Sequence, residues 1–180
     1  MKEDILAFMN KLYLDYGAHV WCAGGAPLAL HLEQKPKDYD IFIRRSEFKK
    51  VNPNNQFSFE LYGHIFKPKF FGYHQGGTIL PEVFSAKIND TKVDLVQVND
   101  NINNIFKLIK GFDFDICECF LLSSIVCLSP AAKNAIKTKT ITHRTHDTHF
   151  NQVSEKAAKR IARYQKKFPD YKIVEDINGR

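Results

Sequence analysis

No stretch of this chain is apolar for the roughly 20 residues that would span a bilayer. The longest candidate, Cys117 to Leu128, is too short and is interrupted by Glu118 and two serines. The opening residues, Met1-Lys2-Glu3-Asp4, lack the basic-then-apolar form of a secretion signal. Together these absences predict a soluble, cytoplasmic protein with no membrane partner. Cysteine is also sparse. Cys22, Cys117, Cys119 and Cys127 form no C-x-x-C pair and all sit in apolar segments. That spacing argues against a zinc knuckle or a disulfide framework and fits buried, reduced thiols. No internal repeat or low-complexity tract is present. What remains is ordinary globular material: 180 residues, 44% hydrophobic, with fifteen Phe. Such a composition excludes intrinsic disorder and suits one compact domain with a small extension.

The net charge of +6 is unevenly spread. Residues 133–172 hold eleven Lys/Arg against three Asp/Glu, and the rest of the chain is slightly acidic. A basic region near the C-terminus fits either a polyanionic partner or a solvated helix face.

Ile5, Phe8, Met9, Leu12, Tyr13 and Tyr16 recur at helical spacing, so residues 3–16 read as an amphipathic helix that stops at Gly17. His19 to Ala23 reads as a strand entering the Gly24-Gly25 turn. Pro27 then suits the first turn of a helix reaching about Gln34. Tyr39 to Arg44 alternates as a strand, and Ser46 to Lys50 can form a helical turn. Phe57–Tyr62 and Ile65–Phe71 read as strands around Gly63. Val83–Ile88 and Lys92–Val98 form a hairpin across Asn89-Asp90-Thr91. Asn101–Lys110 reads as a helix and Cys117–Cys127 as a buried strand or hairpin. Pro130–Lys137 and Val153–Phe168 read as further helices, the last one rich in Lys and Arg. The expected fold is therefore α/β, a mixed sheet of about five strands with helices on one face. A domain at 1–142 would be followed by a basic helical extension at 143–180.

Asp38 and Asp40 alternate by two, so on a strand their carboxylates project from one face. Two anions so placed repel unless a cation lies between them. Asp94 lies in a second strand between Val93 and Leu95, where a carboxylate is costly without a partner. A shared pair of Mg²⁺ ions, which prefer hard oxygen ligands, answers both problems. A bare D-x-D recurs by chance, as turn and strand-edge residues facing water. Here it stands in a more specific series: strand, Gly-Gly, helix, D-x-D strand, strand Asp. The glycine turn opens a helix, so backbone N–H groups can approach phosphates.

Ala23-Gly24-Gly25-Ala26 followed by Pro36-Lys37-Asp38-Tyr39-Asp40-Ile41 resembles the head domain of the tRNA nucleotidyltransferases and poly(A) polymerases of the polymerase-beta superfamily. Phe112-Asp113-Phe114-Asp115-Ile116-Cys117 falls where that family carries Arg-Asp-Phe-Thr-Ile-Asn. The likeness covers roughly residues 15–142, and small stand-alone viral or phage proteins show a similar pattern. The resemblance implies that Asp38, Asp40 and Asp94 bind two Mg²⁺ ions, with Asp94 assisting the attacking hydroxyl. It implies that Gly24 and Gly25 hold the triphosphate of a nucleoside triphosphate; Lys37 in the motif is a further candidate nucleotide contact, and Arg44 at the end of the strand is either a triphosphate contact or a surface charge. Asp113 would orient its sugar or base. Three departures stand out: Pro27-Leu28 replaces the family's Arg-Asp, Phe112 its Arg, and Cys117 its Asn. The chain also has no room for the neck, body and tail that grip a whole tRNA, so a complete CCA-adding enzyme is not expected.

The expected activity is transfer of a nucleoside monophosphate to an acceptor hydroxyl, foremost an RNA 3′ end such as tRNA. A protein or small-molecule acceptor, as in toxin–antitoxin nucleotidyltransferases, and a non-catalytic RNA- or protein-binding module are the alternatives. Lys156, Lys159, Arg160 and Arg163 are the expected RNA contacts. His64, Lys67, Lys69, His74 and Gln75 sit beside aromatics and fit nucleic-acid contacts or packed sheet faces. His143, His146 and His149 recur every third residue around Asp147, a spacing that fits an exposed or phosphate-contacting loop better than zinc. One geometric condition governs the whole reading. The carboxyl groups of Asp38, Asp40 and Asp94 must converge on one metal-sized space beside the Gly24-Gly25 turn, and the catalytic reading fails if Asp94 points to the opposite face of the sheet.

Overall fold

The computed structural model describes residues 2–69, 83–144 and 155–176. Its centre is a six-stranded mixed sheet. β1 (Val20–Cys22), β2 (Asp38–Arg44), β3 (Phe59–Leu61), β4 (His64–Pro68), β5 (Val83–Ile88) and β6 (Thr91–Val98) lie in the order β1-β2-β6-β5-β4-β3. β2 and β6 run parallel, and the other neighbours are antiparallel. The sheet thus has one strand more than the sequence pattern predicts.

β2 alternates as its sequence requires. Tyr39, Ile41 and Ile43 are fully buried, and Asp38, Asp40, Phe42 and Arg44 lie on the other face. The apolar side joins Val93, Leu95, Phe84 and Ala86 under α1 (Lys2–Tyr16) and α3 (Arg45–Val51), which contribute Ile5, Phe8, Leu12, Phe48 and Val51. Each such side chain contributes about 1.5–3 kcal/mol by leaving water.

Helices do not confine themselves to that face. α4 (Ile105–Lys110) packs Leu108 and Ile109 with Ala23 and Phe120, against Trp21, Phe42 and Phe112. This cluster covers the carboxylate face around Phe42 and leaves the start of β2 more open. The expected helix from Asn101 begins later, at Ile105. The side chain of Asn104 accepts from Lys107 N at 2.9 Å, and this cap competes better than further helix.

A single 3-10 turn (Asp115–Cys117) leads into the hairpin of β7 (Cys119–Leu122) and β8 (Ile125–Leu128). α2 (Gly25–His31) joins this region to α5 (Pro130–Thr138), β9 (Thr140–Arg144), α6 (Glu155–Lys167) and β10 (Lys172–Asp176). Their shared core contains Leu28, Phe114, Ile116, Ala132, Ile141, Tyr164 and Phe168. β10 pairs in parallel with β9, so residues 155–176 are docked on the body through both a helix and a strand. The expected boundary at 142/143 falls within β9. No helix among the described residues is long and apolar enough to cross a membrane.

Candidate active site

The register of β2 against β6 builds the site. Asp40 is the direct partner of Asp94, and Asp38 is the partner of Lys92. Residues directly paired on adjacent strands share a face. All three aspartates therefore lie on the same side of the sheet, with Asp94 buried and Asp38 and Asp40 half-buried. The hairpin adds Ser85, the antiparallel partner of Asp94.

Both oxygens of Asp94 are in use. Oδ1 accepts from Ser85 Oγ, and Oδ2 accepts from Lys69 Nζ and from Lys92 Nζ at 3.0 Å. Lys92 Nζ also stands 3.5 Å from Asp38 Oδ2. Burial alone would raise the Asp94 pKa, but the hydrogen bonds from Lys69, Ser85 and Lys92 outweigh it and hold the carboxyl below its usual value. Asp40 behaves in the opposite way. Burial, then the charges of Asp38 and Asp94, push its carboxyl up to about 6, and Lys69 and Lys92 only partly offset this. Asp40 is the member of the set whose charge is least compensated.

The glycine turn stands beside these groups. Antiparallel pairing of Cys22 with Ile41 carries the chain past Asp40, with Ala23 N donating to Asp40 O at 3.4 Å. Gly24 adopts φ 86°, ψ −130°, a backbone conformation that side chains resist. Its N–H donates to Cys119 O at 2.8 Å, so it braces the turn against β7 rather than facing a ligand. A Cβ on Gly24 would meet the Phe112 ring at 3.7 Å. Gly25 differs, because a Cβ there would have nothing within 4 Å. That open space is where a phosphate can approach the start of α2.

The other expected residues are dispersed. Lys37 is exposed beside Asp38. Arg44 sits at the far end of β2, where Nη2 and Nε donate to Glu47 at 2.8 and 3.2 Å. Asp113 follows Phe112, whose ring lies between Gly24 and Phe42, with ring centroids 5.7 Å apart in the second pair. Its carboxylate is gripped by Arg160, with Nε–Oδ2 at 2.6 Å and Nη2–Oδ1 at 2.8 Å. Arg160 is thus engaged within the protein, and Lys159 pairs with Glu155 at 2.6 Å. Arg163 is exposed on α6, and Lys156 has only its backbone described. His74, Gln75, His146, Asp147 and His149 lie outside the described residues. His143 is buried in β9 and rests 4.8 Å from the Phe114 ring rather than in an exposed loop.

Among the described residues, His, Cys, Asp and Glu side chains are nowhere gathered in threes closely enough to hold a metal ion. Asp38, Asp40 and Asp94 thus share a face without the expected convergence on one metal-sized space, and the ammonium groups of Lys69 and Lys92 stand against Asp94. The donor set nevertheless fits a hard divalent cation. It offers carboxylate oxygens on one face, one of them poorly compensated, beside a glycine that leaves room for an anion. Ser85 and Lys92 are absent from the motif reading, though both are readable. A two-residue turn at Asn89-Asp90, counted outward, pairs Ser85 with Asp94, and Lys92 precedes Asp94 by two on the same strand.

Comparison by sequence with protein-family models and with curated proteins gives no match. Comparison by structure does. The chain is similar to a CCA-adding enzyme solved with ATP at TM-score 0.63 and 18% identity, covering 96% of this chain and 39% of that one. It is similar to a tRNA-processing enzyme in an apo form at TM-score 0.62 and 15% identity, covering 96% and 43%. It is also similar to the Thermotoga maritima CCA-adding enzyme complexed with tRNA, at TM-score 0.57 and 15% identity, covering 95% and 38%. The fold is the one these solved enzymes share, and the chain spans about two fifths of their length.

Proposed function

We propose that this chain transfers a nucleoside monophosphate from a nucleoside triphosphate to an acceptor hydroxyl at an RNA 3′ end, releasing pyrophosphate. The observation that carries this reading is the parallel register of Asp40 with Asp94. It places three carboxylates on one face beside a glycine turn. A module that only binds RNA has no use for a buried carboxylate facing a second one, because the arrangement costs stability.

Asp38, Asp40 and Asp94 would hold Mg²⁺, which supplies polarisation of phosphate oxygens and a lowered pKa for the attacking hydroxyl. Gly25 leaves the backbone at the start of α2 open to the triphosphate. Phe112, whose ring lies beside Gly24 and Phe42, makes that side of the site apolar. The acceptor hydroxyl releases its proton to water as its oxygen forms a bond to the α-phosphorus, the α–β bridging P–O bond breaks, and pyrophosphate leaves with those electrons. The basic surface of α6, where Arg163, Lys166 and Lys167 are exposed, supports a polyanionic acceptor. So does the shared fold with enzymes whose structures contain ATP, CTP or tRNA.

The test is incubation of the protein with each labelled nucleoside triphosphate, Mg²⁺ and total RNA. Label in RNA, lost with Asp38→Ala, supports the proposal. Label in the protein moves the acceptor to a protein hydroxyl. No label from any nucleotide overturns the proposal.

A further inference from the structure

The three carboxylates are not alone on their face. Lys92 Nζ bridges Asp94, at 3.0 Å, and Asp38, at 3.5 Å, and Lys69 Nζ shares Asp94 Oδ2 with it. Among the described residues, these three carboxylates and two ammonium groups sum to one negative charge when all are ionised. In the two pairs with Asp94 the lysines are the exposed members, with side chains 35% and 38% accessible against 4% for Asp94, whereas Asp38 is as open as Lys92. Their flexible stems can swing outward without disturbing the sheet.

We propose, on the nucleotidyl-transfer reading above, that Lys69 and Lys92 are exchangeable counter-ions. In the free protein they neutralise the carboxylates. When the carboxylates take up a divalent cation bound to a triphosphate, the lysines transfer to the phosphate oxygens.

An ammonium about 3 Å from a carboxylate oxygen occupies the position a cation would need, so free cation binds only by displacing it. Once the carboxylates are engaged by a dication, the ammonium groups face repulsion from the same side. The triphosphate, with its several negative charges, is then the nearest compensating group. Lys92 is the register partner of Asp38 at the start of β2, on the face that carries the carboxylates. Cation and triphosphate therefore enter together, and each raises the affinity for the other by the same factor.

The experiment uses the full chain, with Mn²⁺ and preformed Mn²⁺–tripolyphosphate as probes followed by calorimetry. Wild type is compared with Lys92→Gln and Lys69→Gln, each checked for native circular dichroism. Each substitution is expected to tighten binding of Mn²⁺ alone and to weaken binding of the complex, each by about tenfold. These opposite directions are the signature. Loss of both affinities together, or no change in either, overturns the exchange while leaving nucleotidyl transfer standing. Absence of any binding to all three proteins overturns both readings at once.

Discussion

Asp40 faces Asp94 across the ladder and Asp38 two residues away, and burial raises the cost of its charge further. Like charges directly opposite are destabilising, so Asp40→Asn is expected to raise cation-free stability by about 1 kcal/mol in denaturant melts. The same substitution should lower transfer by on the order of 10³-fold, because it removes a ligand that acts on the reacting phosphate. A variant that is both less stable and fully active would contradict the account of this residue. The two glycines separate in a similar way. Gly24→Ala would make only ordinary contact with the Phe112 ring but meets a strained φ of 86°, and is expected to cost about 1–3 kcal/mol of stability. Gly25→Ala has open space, and should leave the melting curve nearly unchanged while raising KM for the nucleotide. The three aspartates were legible in the sequence because strand side chains repeat every two residues. Lys69 was not legible as a partner of Asp94, because its approach depends on the pairing of β4 with β5, which no local pattern encodes.

At the level of elements, local chemistry decided what could be read. The β5–β6 turn is legible because Asn89 and Asp90 tolerate the positive φ values of 46° and 62° that a two-residue hairpin needs. β9 and β10 were missed because they are short and pair in parallel across the whole of α6, so their partners are distant in sequence. The docking of α6 rests on Asp113–Arg160 and on Cys117 Sγ, 2.8 Å from Tyr164 OH. Burial pushes the Cys117 thiol from its usual 9.0 up to about 11. A folded-state pKa raised in this way gives stability that is complete below pH 9 and is lost as pH climbs towards 11. Stability should fall in that window by about 1.4 kcal/mol per pH unit for each such thiol, and Cys117→Ala should flatten the fall measured by urea unfolding. Cys22, pushed up to about 12, adds to the same slope. Arg160→Ala should loosen α6, seen as faster amide exchange in residues 155–167, with a loss of about 1 kcal/mol or less because the pair is partly exposed.

On the scale of the whole molecule, the carboxylate face and the basic surface are carried by one continuous body. The sheet core reaches the C-terminal layer through α2, and α6 turns Arg163, Lys166 and Lys167 to solvent. If that surface holds RNA, affinity falls with salt as counterions are released. Replacing Lys166 and Lys167 together by Ala should then reduce the slope of log affinity on log salt by about 1.4. An unchanged slope would place the RNA elsewhere. The mixed sheet was legible from strand and turn patterns, but the choice of acceptor was not, because the chain spans about two fifths of the solved proteins that share its fold. Nucleotidyl transfer is defined by attack on the α-phosphorus. The direct measurement supplies the protein with Mg²⁺, RNA and a nucleoside triphosphate labelled in turn at the α- and γ-positions. The α-label should enter RNA while the γ-label leaves as pyrophosphate, and Asp40→Asn should abolish both. Transfer of the γ-label, or α-label incorporation that persists in Asp40→Asn, would contradict it.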